Sequence, residues 1–249
     1  MHAQTGVSDD RVSLPDGPGS LEGLGDNASL NPNMGSMSYA VPIDVPGGFA
    51  AVTPSLSLSY SSSAGASVVG VGWMMDTPSI ERMTYRKLPL YDDTDDFAAD
   101  GSTQLIRLSS SNGSSATYRA RYEGGFVRYT WRDEDGDGRE GYWVAEYPDG
   151  SRGYFGARAD GTLVPEARVG ADAGTFRYML VEMVDIYGHS MTVSYRRDGV
   201  LALPSEMGYV YPEGSATAQY QVRFSYEDRS DPGSDYLEAI SDAKAGFEE

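Results

Sequence analysis

NPNMGSMSYAVPIDVPGGFAAVTPSLSLSYSSSAGASVVGVGWMMDTPSIERMT, residues Asn31 to Thr84, is the stretch on which the fold turns. Met37, Tyr39, Val41 and Ile43 alternate with small or polar residues, and so do Leu56, Leu58 and Tyr60. A period of two places one apolar face on each of two strands. Pro42, Pro46 and Pro54 cannot donate to a ladder, so they mark strand ends or edges. Ser61-Ser62-Ser63-Ala64-Gly65 reads as a turn, and Gly70-Val71-Gly72-Trp73 as the opening of a return strand. Two glycines before a tryptophan let the backbone run close under the ring. Gly70, Gly72 and Trp73 are therefore expected to be structural, with Trp73 plugging a core rather than binding a ligand.

Working outward, the rest of the chain keeps the same character. There are 30 glycines and 18 tyrosines and no long helical period, which points to many short strands joined by tight turns. A chain of 249 residues can bury a full core, as one large all-β domain or two smaller units. Residues 1–27 are rich in Gly, Asp, Ser and Pro and read as an irregular lead-in. Downstream, Thr117 to Tyr122 and Phe126 to Trp131 form a hairpin pattern, as do Tyr142 to Tyr147 and Arg152 to Phe155 around Asp149-Gly150. An Asn112-Gly113 turn joins two more strands, and Leu237 to Ile240 reads as a last one. Leu88 to Gly101 carries aspartates at 92, 93, 95, 96 and 100, and reads as an acidic surface loop.

Charge and composition narrow the chemistry. A net charge of −18 repels nucleic acid and anionic membranes, so neither is an expected partner. It suits solubility first, and a cation or basic partner second. No cysteine is present, which excludes disulfides, thiol nucleophiles and thiolate metal sites. No apolar run reaches the length of a membrane-spanning helix. MHAQTGV at the start lacks a signal-peptide pattern, so export is expected to use another route or a signal not present here.

The one metal candidate is Asp133-Glu-Asp135-Gly-Asp137-Gly138, whose alternate carboxylates resemble the opening of a calcium loop. Position twelve is Val144 rather than Glu, so the full pattern fails. A short calcium turn with Asp133, Asp135 and Asp137 as ligands and a plain acidic hairpin both fit. Gly70-Val71-Gly72 lacks the third glycine of a dinucleotide fingerprint. His2 lies in the lead-in and His189 in a turn, so no Ser-His-Asp arrangement is expected. The aromatics Tyr118, Tyr122, Tyr129, Trp131, Tyr142, Trp143, Tyr147 and Tyr154 recur on neighbouring strands. Cross-strand packing accounts for them better than a glycan-binding ladder does.

Taken in order, these motifs resemble a known family. Asn-Pro, Tyr39-x-Val-Pro-Ile43, Pro54-x-Leu-x-Leu-x-Tyr60-Ser-Ser, Gly70-x-Gly-Trp73 and Pro78-Ser-Ile-x-Arg82 are similar to the opening of the SpvB-type domain. That domain begins the B component of bacterial Tc toxin complexes and the SpvB virulence proteins, and is associated with Rhs/YD-repeat proteins. The likeness continues through Leu88-Pro-Leu-Tyr91, Tyr147-Pro-Asp-Gly-Ser151 and Tyr178-Met-Leu-Val-Glu182. Asp185-Ile-Tyr-Gly188-His189 resembles the turn of a YD repeat, with His where Asn is usual. There Asp185 would close the turn and Gly188 would take positive φ.

The resemblance implies an all-β fold of antiparallel hairpins, in a large curved sheet or a sandwich-like segment of a β-shell. It implies a SpvB-like domain over 28–249 that continues beyond Glu249, in a secreted protein with no catalysis of its own. Its implied partners are the rest of its polypeptide, an Rhs-type C component and a pore-forming A component. The ADP-ribosyltransferase of SpvB proteins lies in a separate domain, whose motifs do not occur in order here. A calcium-dependent binding module is the competing expectation.

Overall fold

The computed structural model describes residues 29–31, 35–92, 94–111, 115–133, 141–171 and 173–227. The chain separates into two compact units. The smaller takes Met1–Pro42 and Ser57–Met75, and the larger Ile43–Leu56 and Asp76–Glu249.

In the smaller unit, β1 (Ser29–Asn31), β2 (Ser36–Ile43) and β3 (Leu56–Ser61) lie side by side. A two-residue ribbon follows, β4 (Ala66–Ser67) with β5 (Gly70–Val71), and then β6 (Trp73–Met75) returns alongside β3. Leu58 stands opposite Met75, and Tyr60 opposite Trp73. The period-two pattern therefore gathers the apolar residues on one face. Gly72 is needed where the return strand begins. It has φ +78°, and a Cβ there would sit 2.5 Å from the Tyr60 ring and 3.0 Å from the Ser61 carbonyl.

Among the described residues the larger unit carries twelve strands. Each of β7 (Ser79–Arg82), β8 (Phe97–Ala99), β9 (Thr103–Ser111), β10 (Ser115–Ala120), β11 (Arg128–Arg132), β12 (Tyr142–Glu146) and β13 (Arg152–Phe155) is antiparallel to the next. The short β14 (Arg168–Ala171) folds against β15 (Gly174–Val184). At 11 residues, β15 outruns any single partner. It pairs with β7 through Arg177 to Met179 and with β13 through Leu180 to Val184. β7 through β13 and β15 thus form a closed ring. β16 (Ser190–Asp198), β17 (Leu201–Tyr209) and β18 (Tyr220–Arg223) continue the sheet from β15.

The all-β, antiparallel character agrees with the sequence reading. The curved sheet of the larger unit closes on itself, because β15 takes partners from both ends of the meander. The Leu88 to Gly101 segment is not wholly a surface loop, since Phe97–Ala99 is a buried strand. The Asn112-Gly113 turn and the Leu237 to Ile240 strand fall outside the described residues.

The core of the larger unit is aromatic. Trp143 is fully enclosed, 4.8 Å from Phe97, 4.9 Å from Tyr118 and 5.3 Å from Trp131, centroid to centroid. Tyr178 meets Trp131 edge-on at 5.4 Å. Each such pair contributes about 0.5–1.5 kcal/mol beyond the area it buries. Gly141 makes room for this cluster. A Cβ there would lie 2.2 Å from Trp131 Cζ2 and 2.5 Å from the Arg132 carbonyl.

Candidate functional site

The most constrained polar group in the described residues is Arg82, at the end of β7. Its side chain is 1% exposed and its partner Asp95 is 2% exposed. Arg82 Nη1 donates to Asp95 Oδ2 at 2.8 Å, and Arg82 Nε donates to the Thr175 carbonyl on β15 at 3.0 Å. The guanidinium lies 5.1 Å from the Tyr91 ring centroid and 5.0 Å from that of Phe97. Asp95 also accepts from the backbone N–H of Leu90 at 3.0 Å and of Tyr91 at 2.8 Å. Lys87 approaches it at 3.5 Å.

A buried charge pair persists only when its remaining donors and acceptors are satisfied, and here they are. The pair ties the segment from Met83 to Asp96 to β15 and holds Tyr91 at φ +58°, an unfavourable value for a bulky residue. Burial pushes the Tyr91 hydroxyl up to about 12, against a smaller opposing pull from Arg82. Arg82 reaches the Thr175 carbonyl and Asp95 takes two backbone N–H groups, so this constellation positions backbone. Asp95 was indistinguishable from its four acidic neighbours in the sequence.

The turn Asp185 to His189 joins β15 to β16. Asp185 Oδ1 accepts from the N–H of Tyr187 and of His189, both at 2.8 Å, and Oδ2 lies 2.7 Å from His189 Nδ1. Gly188 has φ +86°, and its N–H donates to the Asp185 carbonyl at 3.2 Å. Burial opposes ionisation of Asp185. The hydrogen bonds from His189 and Tyr187 outweigh it and hold the carboxyl below its usual range. The His189 ring also stacks on Phe49 at 3.4 Å. Asp149 repeats the device at the β12–β13 turn, accepting from Ser151 N at 3.0 Å and Ser151 Oγ at 2.6 Å.

Other candidates are placed as follows. Trp73 is half-buried, between Tyr60 at 5.3 Å and Tyr39 at 6.3 Å. Gly70 has φ +126°, and a Cβ there would stand 3.7 Å from Trp73 Cδ1. Asp133 is buried at the end of β11, whereas Asp135 and Asp137 lie outside the described residues. Among the described residues no three acidic or histidine side chains converge as a metal site would need. Tyr118, Tyr129, Trp131, Tyr142 and Trp143 are buried and stiffen the sheet, whereas Tyr147 and Tyr154 are half-buried and Tyr122 is exposed. No helix among the described residues is long and apolar enough to cross a membrane.

An all-β scaffold braced by buried rings, one ion pair and carboxylate-closed turns can now be set beside known proteins. The family model described as "Salmonella virulence plasmid 65kDa B protein" matches residues 31–244. The chain belongs to this SpvB family. The mono(ADP-ribosyl)transferase SpvB of Salmonella choleraesuis (strain SC-B67) is 34% identical over 140 residues, covering 53% of this chain and 22% of that protein. The Salmonella typhimurium protein of the same name is 35% identical over 119 residues, covering 45% and 20%. The chain thus spans about a fifth of the length of these relatives. Among solved structures, TcdB2-TccC3 matches with a TM-score of 0.68 at 24% identity, over 88% of this chain and 12% of that one. The N-terminal domain of SpvB from Salmonella typhimurium strain LT2 matches with a TM-score of 0.57 at 23% identity, over 72% and 64%. These two likenesses establish the fold.

Proposed function

We propose that this chain is a non-catalytic structural module of a secreted bacterial toxin assembly, a segment of the wall that encloses a toxic cargo. The observation that carries the reading is the closed, aromatic-filled ring of β7 through β13 with β15. Its buried Arg82–Asp95 pair holds backbone, and among the described residues no cluster of acidic or histidine side chains is gathered. The fold it shares with a stretch of TcdB2-TccC3 supports the same role. Its partners are then the remainder of its own polypeptide and an Rhs-type C component, with a pore-forming A component further out.

Two experiments bear on this. The chain, incubated with labelled NAD+ and a cell lysate, is expected to transfer no label. Label transfer that survives repurification contradicts the non-catalytic role. The whole gene product, co-produced with an Rhs-type C component, is expected to elute with it as one complex. Separate elution contradicts the assembly.

A further inference from the structure

The small sheet of β1, β2, β3 and β6 has two unlike faces. Met37, Tyr39 and Val41 of β2 share one face with Leu58 and Tyr60 of β3 and Trp73 of β6, as the Tyr60–Trp73 pairing and the Tyr39–Trp73 ring contact require. The other face is mostly serine: Ser36 and Ser38 on β2, Ser57 and Ser59 on β3. An antiparallel sheet with one apolar face ordinarily buries it. This one does not. Met37 is 39% exposed, and Tyr39, Val41, Leu58, Tyr60 and Trp73 are only half-buried. Among the described residues of 29–42 and 57–75, no hydrophobic side chain is buried.

The same stretch is nearly free of charge. Between Asn27 and Met75 the only charged residue is Asp44, in a chain that is 22% charged. A solvated sheet normally guards its edges and face with lysine, glutamate or aspartate. Loss of charge together with enrichment in Met, Tyr and Trp is the composition of an interface core.

We propose that this face is an assembly surface whose occupant is an uncharged, apolar surface supplied by the same longer polypeptide. Charge decides against a second copy. Two chains of −18 repel as they approach, while the face itself offers no basic group to offset that. Length favours the polypeptide itself. The matched region is 22% of one curated relative and 12% of the TcdB2-TccC3 chain, so such proteins carry ample further surface. The proposal rests on the module reading in one respect, that this chain works as part of a longer one.

The chain contains no cysteine, so single thiols report without background. Met37→Cys places a thiol on the apolar face and Ser38→Cys places one on the serine face. Val41→Cys is a second reporter should the first variant fold poorly. Maleimide labelling is followed in the dilute 249-residue chain and in the whole gene product. In the dilute chain both faces are expected to label readily. In the whole product the apolar-face thiols are expected to label at least about tenfold more slowly, since a docked surface reacts only when it opens. The Ser38→Cys thiol keeps its rate. Equal apolar-face rates in the two proteins, or a gene product with nothing beyond this chain, overturn the proposal. So does protection that is already present in the 249-residue chain and fades on dilution, because the occupant is then a second copy. Protection without a hollow assembly leaves this proposal standing and removes the shell reading; a hollow assembly without protection does the reverse.

Discussion

Asp95 carries more of the larger unit than its surroundings in the sequence suggest. It neutralises Arg82 and caps two backbone N–H groups at once. Removing one partner of a buried pair strands the other, at a cost of about 3–5 kcal/mol. Asp95→Ala is therefore expected to lower unfolding free energy in urea by that amount. Arg82→Lys is expected to fail as a rescue, because lysine lacks the planar fork that reaches Asp95 and Thr175 together. An Asp95→Ala change below about 1 kcal/mol, the worth of a surface pair, contradicts the buried-pair account. Gly141→Ala tests packing instead. Its Cβ would overlap Trp131 Cζ2, so about 1–3 kcal/mol of destabilisation with altered tryptophan fluorescence is expected. Unchanged stability and emission contradict it. Neither residue was legible in the sequence. One aspartate of five, and one glycine of 30, are distinguished only by what tertiary pairing brings against them.

At the scale of elements, turn carboxyls and buried tyrosines titrate in opposite directions. The carboxyl of Asp185 is held low by its turn, so its stabilising effect is present above the unfolded value of about 3.9 and is lost as pH falls through the lower folded value. Asp185→Asn is expected to cost most near neutrality, with the gap to the parent chain closing as pH drops below about 4. Denaturant titrations across that range check it, and a gap independent of pH contradicts it. The buried tyrosines behave conversely. Burial raises Tyr91 and Tyr129 to about 12, above the unfolded value of about 10. Their contribution is complete below about 10 and is lost as pH rises through 12. Tyrosinate absorbance is expected to show a late fraction that ionises with unfolding, whereas one step near pH 10 contradicts this. Turns such as Asp149-Gly150 and Asp185 to His189 were readable because turn chemistry is local. The strand Phe97–Ala99 was not, since it is short and lies beside a run of aspartates.

At the scale of the molecule, the strand inventory and antiparallel class followed from alternation and turn residues. Ring closure did not. It depends on Ser79 to Glu81 meeting Met179 to Arg177, nearly a hundred residues later, and no local pattern encodes that pairing. The near absence of charge around the first sheet was plain in the sequence. It gained meaning only once the apolar face beyond Leu56 was seen to hold only half-buried or exposed side chains. These features converge on a module made to be built into something larger. A cryo-EM reconstruction of the whole gene product tests that claim most directly. The account predicts this chain as part of a continuous wall around a hollow interior, with further strands of the polypeptide packed against it. A separate bead on a flexible linker, solvated on every side, contradicts it.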